Sequence, residues 1–507
     1  MYYQIEKQYG RLGCVCKVPG LFLCKPPVIE WLKKSTEEQH SRGSDFNFIE
    51  TFDRVGVSVN LNYFNQLYDQ SSKSAFSTSK KVLCIFDGEI FNLKDLAGLL
   101  NLNTQRHSAG KIIAELYENF GISFVDKLLG IFAIILYDFN KNHLIVNRDM
   151  VGLKPLYYSQ KNEHLVFASS LNAIPLELIP YVKTFPPGAV WVNDGFQHIN
   201  NVHIPQKNEL ETVMLNSISD HLPDNIDFAL SLSGGIDSSI IAAMAKKLGY
   251  DFDCYVFDAG YGNDAAAAKA VANELGLSLK VVKVDKGDVI EMFPKIVKVL
   301  GAFRSEVILG GILSYAIAKA VSSEGKKILV TGEGVDVIFG GLPKYKIIPK
   351  HHLYNVMIED QHKLWHSTNR RMDHVAMLCG VEPRAPLEDL RVIAKARQLP
   401  IKKILDLEHK FIDKIALREI ALKYLPEDLV IRRKANISEG TGLGEQILQI
   451  GDDLYQGNEI TTEEKTNFEI GNRFEAICFK LWKEYYPNMS VSKKDLQNRV
   501  LFPSSDR

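Results

Sequence analysis

One glycine-rich turn constrains this chain more than any other feature. Residues 228–232 read as a buried strand and residues 238–248 as a helix, with Ser233-Gly234-Gly235-Ile236-Asp237-Ser238-Ser239 between them. A strand that turns straight into a helix leaves free backbone N–H groups at the helix start, where the helix dipole favours an anion. Gly234 and Gly235 let the backbone approach a phosphate closely, and Ser233, Ser238 and Ser239 add hydroxyl donors. Asp237 carries the wrong charge for phosphate, so it is assigned to magnesium, which prefers hard oxygen ligands. A plain glycine-rich βα turn with a Ser or Asp cap is the bland alternative. The loop is neither a Gly-x-x-x-x-Gly-Lys P-loop nor a Gly-x-Gly-x-x-Gly turn.

The strand–turn–helix pattern recurs downstream. Residues 253–257 precede a helical stretch at 264–275, and residues 280–284 and 327–330 add two near-continuously apolar strands. Such runs alternating with helices predict a parallel sheet covered on both faces. A second glycine-rich strand end, Thr331-Gly332-Glu333-Gly334-Val335-Asp336, follows the strand ending at Val330. It sets Glu333 and Asp336 at the carboxyl end of a parallel strand, where such sheets bind ligands. Asp336 is then the second magnesium ligand, opposite Asp237. Residues 385–507 read as mainly helical, ending in a polar tail from 490.

The first 200 residues look different. Short β-rich runs at 82–86, 131–137, 143–146, 165–167 and 189–192 are punctuated by Gly, Asn, Asp or Pro, with amphipathic stretches at 92–100 and 108–120. They predict an α+β sandwich with flanking helices. The texture changes near residue 205, which predicts two domains, 1–205 and 206–507.

Composition mostly excludes. Sixty basic residues face 61 acidic ones for a net charge of -1, so neither nucleic acid nor an anionic membrane is an expected partner. The apolar run 131–136 is far too short to span a bilayer, and no other run reads as better. The N-terminus lacks the basic start and apolar core of a signal peptide, and seven scattered cysteines fit a reducing cytosol, so a cytoplasmic location is expected. The close pair Cys14 and Cys16 reads as incidental rather than metal-binding.

The 233–239 loop resembles the pyrophosphate loop of ATP pyrophosphatases, a HUP-like group that includes asparagine and β-lactam synthetases. These enzymes cleave ATP between the α and β phosphates, leaving an acyl adenylate and pyrophosphate. Residues 331–341 are similar to the Ser-Gly-Glu-Gly-Ala-Asp-Glu-Leu-Phe-Gly-Gly segment of asparagine synthetases. Arg148-Asp149-Met150-Val151-Gly152-Leu153-Lys154-Pro155-Leu156-Tyr157-Tyr158 resembles a stretch of the family's amidotransferase half. Gly380-Val381-Glu382-Pro383-Arg384-Ala385-Pro386 resembles a segment lining the synthetase site, and Arg432-Arg433-Lys434 with Ser438-Glu439-Gly440 the family's late lysine segment. Similarity runs from about residue 80 to about 445.

The resemblance implies an amidotransferase-like sandwich followed by an ATP pyrophosphatase domain with a helical C-terminal part. It implies ATP and Mg²⁺ as cofactors and a small amino-acid-type carboxylate as substrate, and it is compatible with a homodimer. Three departures imply that the first domain lacks glutaminase activity. Tyr2 stands where glutamine-dependent members carry their nucleophilic cysteine, Asp87-Gly88-Glu89 replaces Asn-Gly-Glu, and Ser108-Ala109 replaces Ser-Asp. That design, with Val337-Ile338 in place of Glu-Leu, is similar to β-lactam synthetases, which close an amide intramolecularly. Those enzymes carry Tyr where this chain has Glu333, however, and their partner Glu falls near Arg370 in an ungapped match. Glu333 is the asparagine synthetase choice, so ammonia-dependent asparagine synthesis is the second expectation and a silent ATP-binding scaffold the third. The implied roles are Glu333 as base for the incoming amine and Lys434 as counter-charge for the α-phosphate and tetrahedral intermediate. Lys414 is a further phosphate candidate, with Leu232, Val256, Thr331 and Gly332 lining the nucleotide pocket.

Overall fold

The computed structural model of the chain describes residues 9–17, 26–52, 55–62, 75–102, 104, 107–162, 164–197, 208–222, 227–260, 262–409, 411–432, 440–457, 459–487 and 489. It divides into two compact units, Met1–His203 with Tyr485–Arg507, and Ile204–Glu484.

The first unit is built on the two-residue period of its strands. Strands β1 (Tyr9–Lys17), β2 (Phe46–Phe52), β3 (Val55–Asn62), β8 (Tyr157–Lys161), β9 (His164–Ala168) and β10 (Val182–Thr184) form one sheet, in the order β10-β8-β9-β1-β3-β2. Strands β4 (Ala75–Phe76), β5 (Val82–Ile90), β6 (Gly130–Asp138), β7 (His143–Arg148), β11 (Val190–Val192) and β12 (Gly195–Gln197) form the other, in the order β12-β11-β7-β6-β5-β4. Along β5, Leu83 and Ile85 pack with Val57 and Val59 of β3 and Phe167 of β9, filling the space between the sheets. Val82, Cys84 and Phe86 point the opposite way, onto α2 (Leu93–Leu99) and α3 (Ala109–Phe120). Helix α1 (Pro26–Glu38) packs on β1 and β3, so the unit is an α/β/β/α sandwich. Every residue of β5 is buried because both faces are covered. Ser108 caps α3 by accepting the Lys111 N–H at 3.2 Å.

The second unit is a five-stranded parallel sheet in the order β15-β14-β13-β16-β17. It comprises β13 (Ala229–Ser231), β14 (Asp253–Asp258), β15 (Ser278–Lys283), β16 (Ile328–Val330) and β17 (Glu382–Arg384). Its helices are α4 (Leu210–His221), α5 (Ile236–Lys247), α6 (Asp264–Leu275), α7 (Lys286–Leu300), α8 (Ser305–Ser323), α9 (Val335–Ile338), α10 (Lys350–Gln361) and α11 (Thr368–Met377), with further helices beyond. The strand expected at 280–284 is half-solvated, with Val281 44% exposed, because it forms an edge of the sheet. At the other edge lies β17, which no sequence periodicity marks as a strand. It is three residues long and carries two charged side chains, yet Glu382 and Arg384 are both buried, and Arg384 donates to the His221 carbonyl at 2.6 Å. Of the stretch 380–386, expected to line the site, only Pro383 lines the cavity at the ends of β13 and β16.

Helix α8 corrects the reading that no run could match a membrane span. By length and composition it is long and apolar enough to cross one, and half of it is buried inside the unit, packed against α7 and α11.

Candidate active site

The glycine-rich loop is held by its own side chains. Leu232 is buried and its N–H donates to Tyr255 O at 2.8 Å, so the chain leaves the sheet one residue beyond β13. Gly234 then turns with φ +69°, and a Cβ there would lie 2.5 Å from the backbone of Ala267 and Ala268 on α6. Helix α5 begins at Ile236, two residues earlier than the periodicity suggested, so Asp237 sits in its first turn. Ser238 Oγ accepts the Ser233 N–H at 3.2 Å, and Ser239 Oγ donates to Gly235 O at 2.8 Å. Gly234, Gly235 and Ser239 do not line the cavity; Ser239 is fully buried and braces the loop.

The second strand end lies against the first. A Cβ on Gly332 would fall 2.9 Å from Ser238 N and 3.0 Å from Asp237 carbonyl carbon, so the missing side chain lets the two turns touch. Glu333 Oε1 accepts a charged hydrogen bond from Arg371 at 2.7 Å. The guanidinium is seated over Gly310 of α8, where a Cβ would come within 2.3 Å of it. The neighbouring Arg370, near which an ungapped match sets the partner Glu of β-lactam synthetases, is buried and donates to Leu300 O at 2.9 Å. On α11 successive residues diverge by about 100° around the axis, so a shift of one residue selects a different partner.

Between the two expected magnesium ligands stands Lys414. Its ammonium lies 2.7 Å from both oxygens of Asp237 and 2.5 Å from Asp336. Burial disfavours its charge, but the two carboxylates outweigh that and hold its pKa above the ordinary lysine value. Two carboxylates converging on one buried cation form a hard-oxygen donor pair, so the residues fit magnesium, with the ammonium standing where a metal ion would. Among the described residues no group of three or more His, Cys, Asp or Glu side chains could hold a metal. Two protein carboxylates suffice for an ion that takes its other ligands from phosphate and water.

These groups open on one cavity of about 720 Å³, lined by Leu232, Ser233, Asp237, Ser238, Val256, Thr331, Gly332, Glu333, Asp336 and Lys414. The same wall holds Arg432, of the late lysine segment, and residues that the sequence patterns did not single out. Arg432 bridges to Asp264 at 3.2 Å, and Asp413 joins Lys346 at 2.8 Å and Arg418 at 3.2 Å. Lys346, Arg371, Asp413 and Arg418 lie in stretches with no glycine-rich signal, and only the fold brings them here. Asp264 could have been flagged from its place at the start of a helix that follows a buried strand. Lys434, with Arg433, Ser438 and Glu439, lies outside the described residues; Gly440 packs on Asp264, where a Cβ would fall 2.7 Å from its carboxylate.

In the first unit, the Arg148–Tyr158 stretch is structural. Arg148 is buried and donates to the carbonyls of Lys154, Phe185 and Gly152, while Asp149 accepts four backbone N–H groups from Val151 to Lys154. Asp87 is fully buried, 3.2 Å from the Arg42 guanidinium and 3.7 Å from the Lys154 ammonium. Ala109 is buried in the first turn of α3.

A parallel sheet whose glycine-rich strand ends enclose a charged cavity defines the second unit as an ATP pyrophosphatase-like synthetase domain. The glutamine amidotransferase domain model matches residues 15–183, and the asparagine synthase model matches 209–357 and 347–465. Asparagine synthetase B (glutamine-hydrolyzing) of Escherichia coli K12 is 27% identical over 84% of this chain and 83% of its own length. Asparagine synthetase 1 (glutamine-hydrolyzing) of Arabidopsis thaliana is 27% identical over 72% of this chain and 68% of its own. The chain belongs to the asparagine synthetase family. It is accordingly an ATP-dependent ligase that makes amides in the manner of that family.

Proposed function

We propose that the chain adenylates the carboxylate of an amino-acid-type substrate and closes an amide with an amine that glutamine does not supply. The observation that carries this reading is the junction of the two glycine-rich strand ends. It sets the Asp237–Lys414–Asp336 cluster and the Glu333–Arg371 pair on one cavity.

In the first half-reaction the substrate carboxylate attacks the α-phosphorus of ATP, and pyrophosphate leaves. Ser233 and the backbone N–H groups at the start of α5, from Ile236 to Ser238, receive phosphate oxygens, with Lys414 and Arg432 as nearby cations. Asp237 and Asp336 would hold magnesium, which supplies charge neutralisation for the leaving pyrophosphate. Leu232, Val256, Thr331 and Gly332 shape the nucleotide pocket. In the second half-reaction the amine attacks the acyl carbon, AMP leaves, and the amine proton passes to Glu333. An aliphatic amine with a pKa of about 10 is only about 0.1% neutral at pH 7, so a positioned acceptor matters. Arg371 orients that acceptor through Oε1. Lys434 is assigned to the α-phosphate charge.

The source of the amine has two readings. Free ammonia is favoured by Glu333, the asparagine synthetase residue at this position; the names of the relatives support asparagine synthesis but specify glutamine hydrolysis for those proteins. Intramolecular closure of the β-lactam kind loses one support, because Val337 and Ile338 are buried and do not line this cavity. Its remaining support is the altered first unit. There Asp87 puts a carboxylate, locked to Arg42 and Lys154, where the family uses an amide to support an oxyanion.

Pyrophosphate release from ATP and magnesium, screened over amino acids with and without ammonium, tests the reading. Release that requires a carboxylate substrate is expected; none with any carboxylate leaves only the ATP-binding scaffold. Ammonium-independent release with cyclised product selects the intramolecular reading. Glutamate release from glutamine in step with amide formation would overturn the claim about the first unit.

A further inference from the structure

The ammonium of Lys414 occupies the space in which the two acidic ligands of the synthetase cavity would meet a metal ion. We propose that Lys414 is a built-in counter-ion that keeps Asp237 and Asp336 closed to divalent cations until nucleotide arrives. Metal then enters only together with ATP. The inference rests on the magnesium assignment made above and extends it to the nucleotide-free protein.

Three independent features hold the lysine there. Its backbone is left-handed, with φ +51°, a conformation a non-glycine residue adopts only when its surroundings impose it. Two residues earlier, Ile412 is also at positive φ, +28°. Gly341 leaves room for the side chain: a Cβ at that position would lie 2.0 Å from Lys414 Cε and 2.2 Å from Asp336 Oδ1. The side chain is only 5% exposed, as is fitting for a cation held by two acids rather than one reaching into solvent.

The physical argument is competition for one position. Two carboxylates this close repel each other strongly in a partly buried site unless a cation sits between them. An ammonium in contact with both satisfies that need, so a lone divalent ion must displace it and shed water as well. ATP changes the balance, because its phosphates offer the displaced ammonium a new anionic partner and bring further oxygen ligands for the metal. Binding of the metal and of the nucleotide is thereby coupled, and by linkage each strengthens the other.

The test uses Mn²⁺ as probe, counted in the full-length protein by loss of the free-ion electron paramagnetic resonance signal. Without nucleotide, Lys414→Met should bind one Mn²⁺ at least about 10-fold more tightly than wild type, since a positive charge in contact with the site is gone. The double variant Asp237→Asn with Lys414→Met should lose that gain. Because it removes one charge of each sign, it also controls for folding. Thermal denaturation gives a second readout: Mn²⁺ should raise the melting temperature of Lys414→Met and leave nucleotide-free wild type unmoved. Equal Mn²⁺ affinity of wild type and Lys414→Met would overturn the counter-ion role. With a non-hydrolysable ATP analogue present, Asp237→Asn should weaken Mn²⁺-dependent nucleotide binding. If it does not, the magnesium assignment itself fails, an outcome separate from failure of the counter-ion role.

Discussion

Glu333 and Arg371 form the smallest unit of function proposed here, a carboxylate held by one guanidinium at 2.7 Å. Glu333→Gln keeps the shape and removes the proton acceptor. Amide formation should slow by about 10²–10⁴-fold, while hydroxylamine, already neutral at pH 7, should still trap the activated carboxylate. Amide formation at the wild-type rate would place the base elsewhere. Arg371→Met leaves the acceptor but removes its anchor. It should lower kcat by about 10-fold with little change in the KM for ATP, and Arg371→Lys should recover part of the loss. A KM effect alone would make Arg371 a binding residue. The sequence pattern marked Glu333 by its place after a buried strand. Arg371 carries no comparable mark, because an arginine on a helix looks the same whichever way it faces.

At the scale of elements, the β13–α5 turn and helix α6 depend on each other. Gly234→Ala would force a Cβ at φ +69° to within 2.5 Å of the α6 backbone. A loss of about 1–3 kcal/mol in stability is expected from denaturant unfolding, together with weaker ATP binding as the loop shifts. Unchanged values of both would mean that α6 yields without cost. The edge pair β14–β15 gives a pH prediction. Burial alone would raise the Asp253 carboxyl, but hydrogen bonds from Lys326 and Lys280 outweigh it and lower the pKa from 3.8 to about 2. A depressed folded-state pKa contributes stability that is present above pH 3.8 and is lost as pH falls towards 2. Asp253→Asn should therefore flatten that acid limb in melts across this range, with an effect of about 1 kcal/mol or less for so accessible a cluster. An acid limb that keeps its slope in the variant would assign the pH dependence to other carboxylates.

At the scale of the molecule, two compact units imply two separable responses. Asp87 lies buried in the first, against Arg42 and Lys154, and Asp87→Ala removes the carboxylate both cations share. Calorimetry should show one transition destabilised by about 2–4 kcal/mol. ATP with magnesium should raise the other transition equally in wild type and variant. A single transition moved by both changes would show the units unfolding as one.

Periodicity and glycine placement were enough, without a fold, to delimit β13, α6 and the sandwich helices α2 and α3, and to mark Asp237, Glu333 and Asp336. Those signals are local: a strand stopping at a glycine pair and a helix starting beyond it are written in adjacent residues. Strand β17 escaped because three residues carry too little period, and because Glu382 and Arg384 are buried by neighbours the sequence does not name. The edge position of β15 escaped too, since strand order is decided by which strands pair and not by their composition. The same holds for the site. That Lys414 reaches Asp237 across 177 positions, and that Arg371 rather than Arg370 meets Glu333, follows from packing geometry. Acids at strand ends are a property of sequence, whereas the cations that neutralise them were chosen by the tertiary structure.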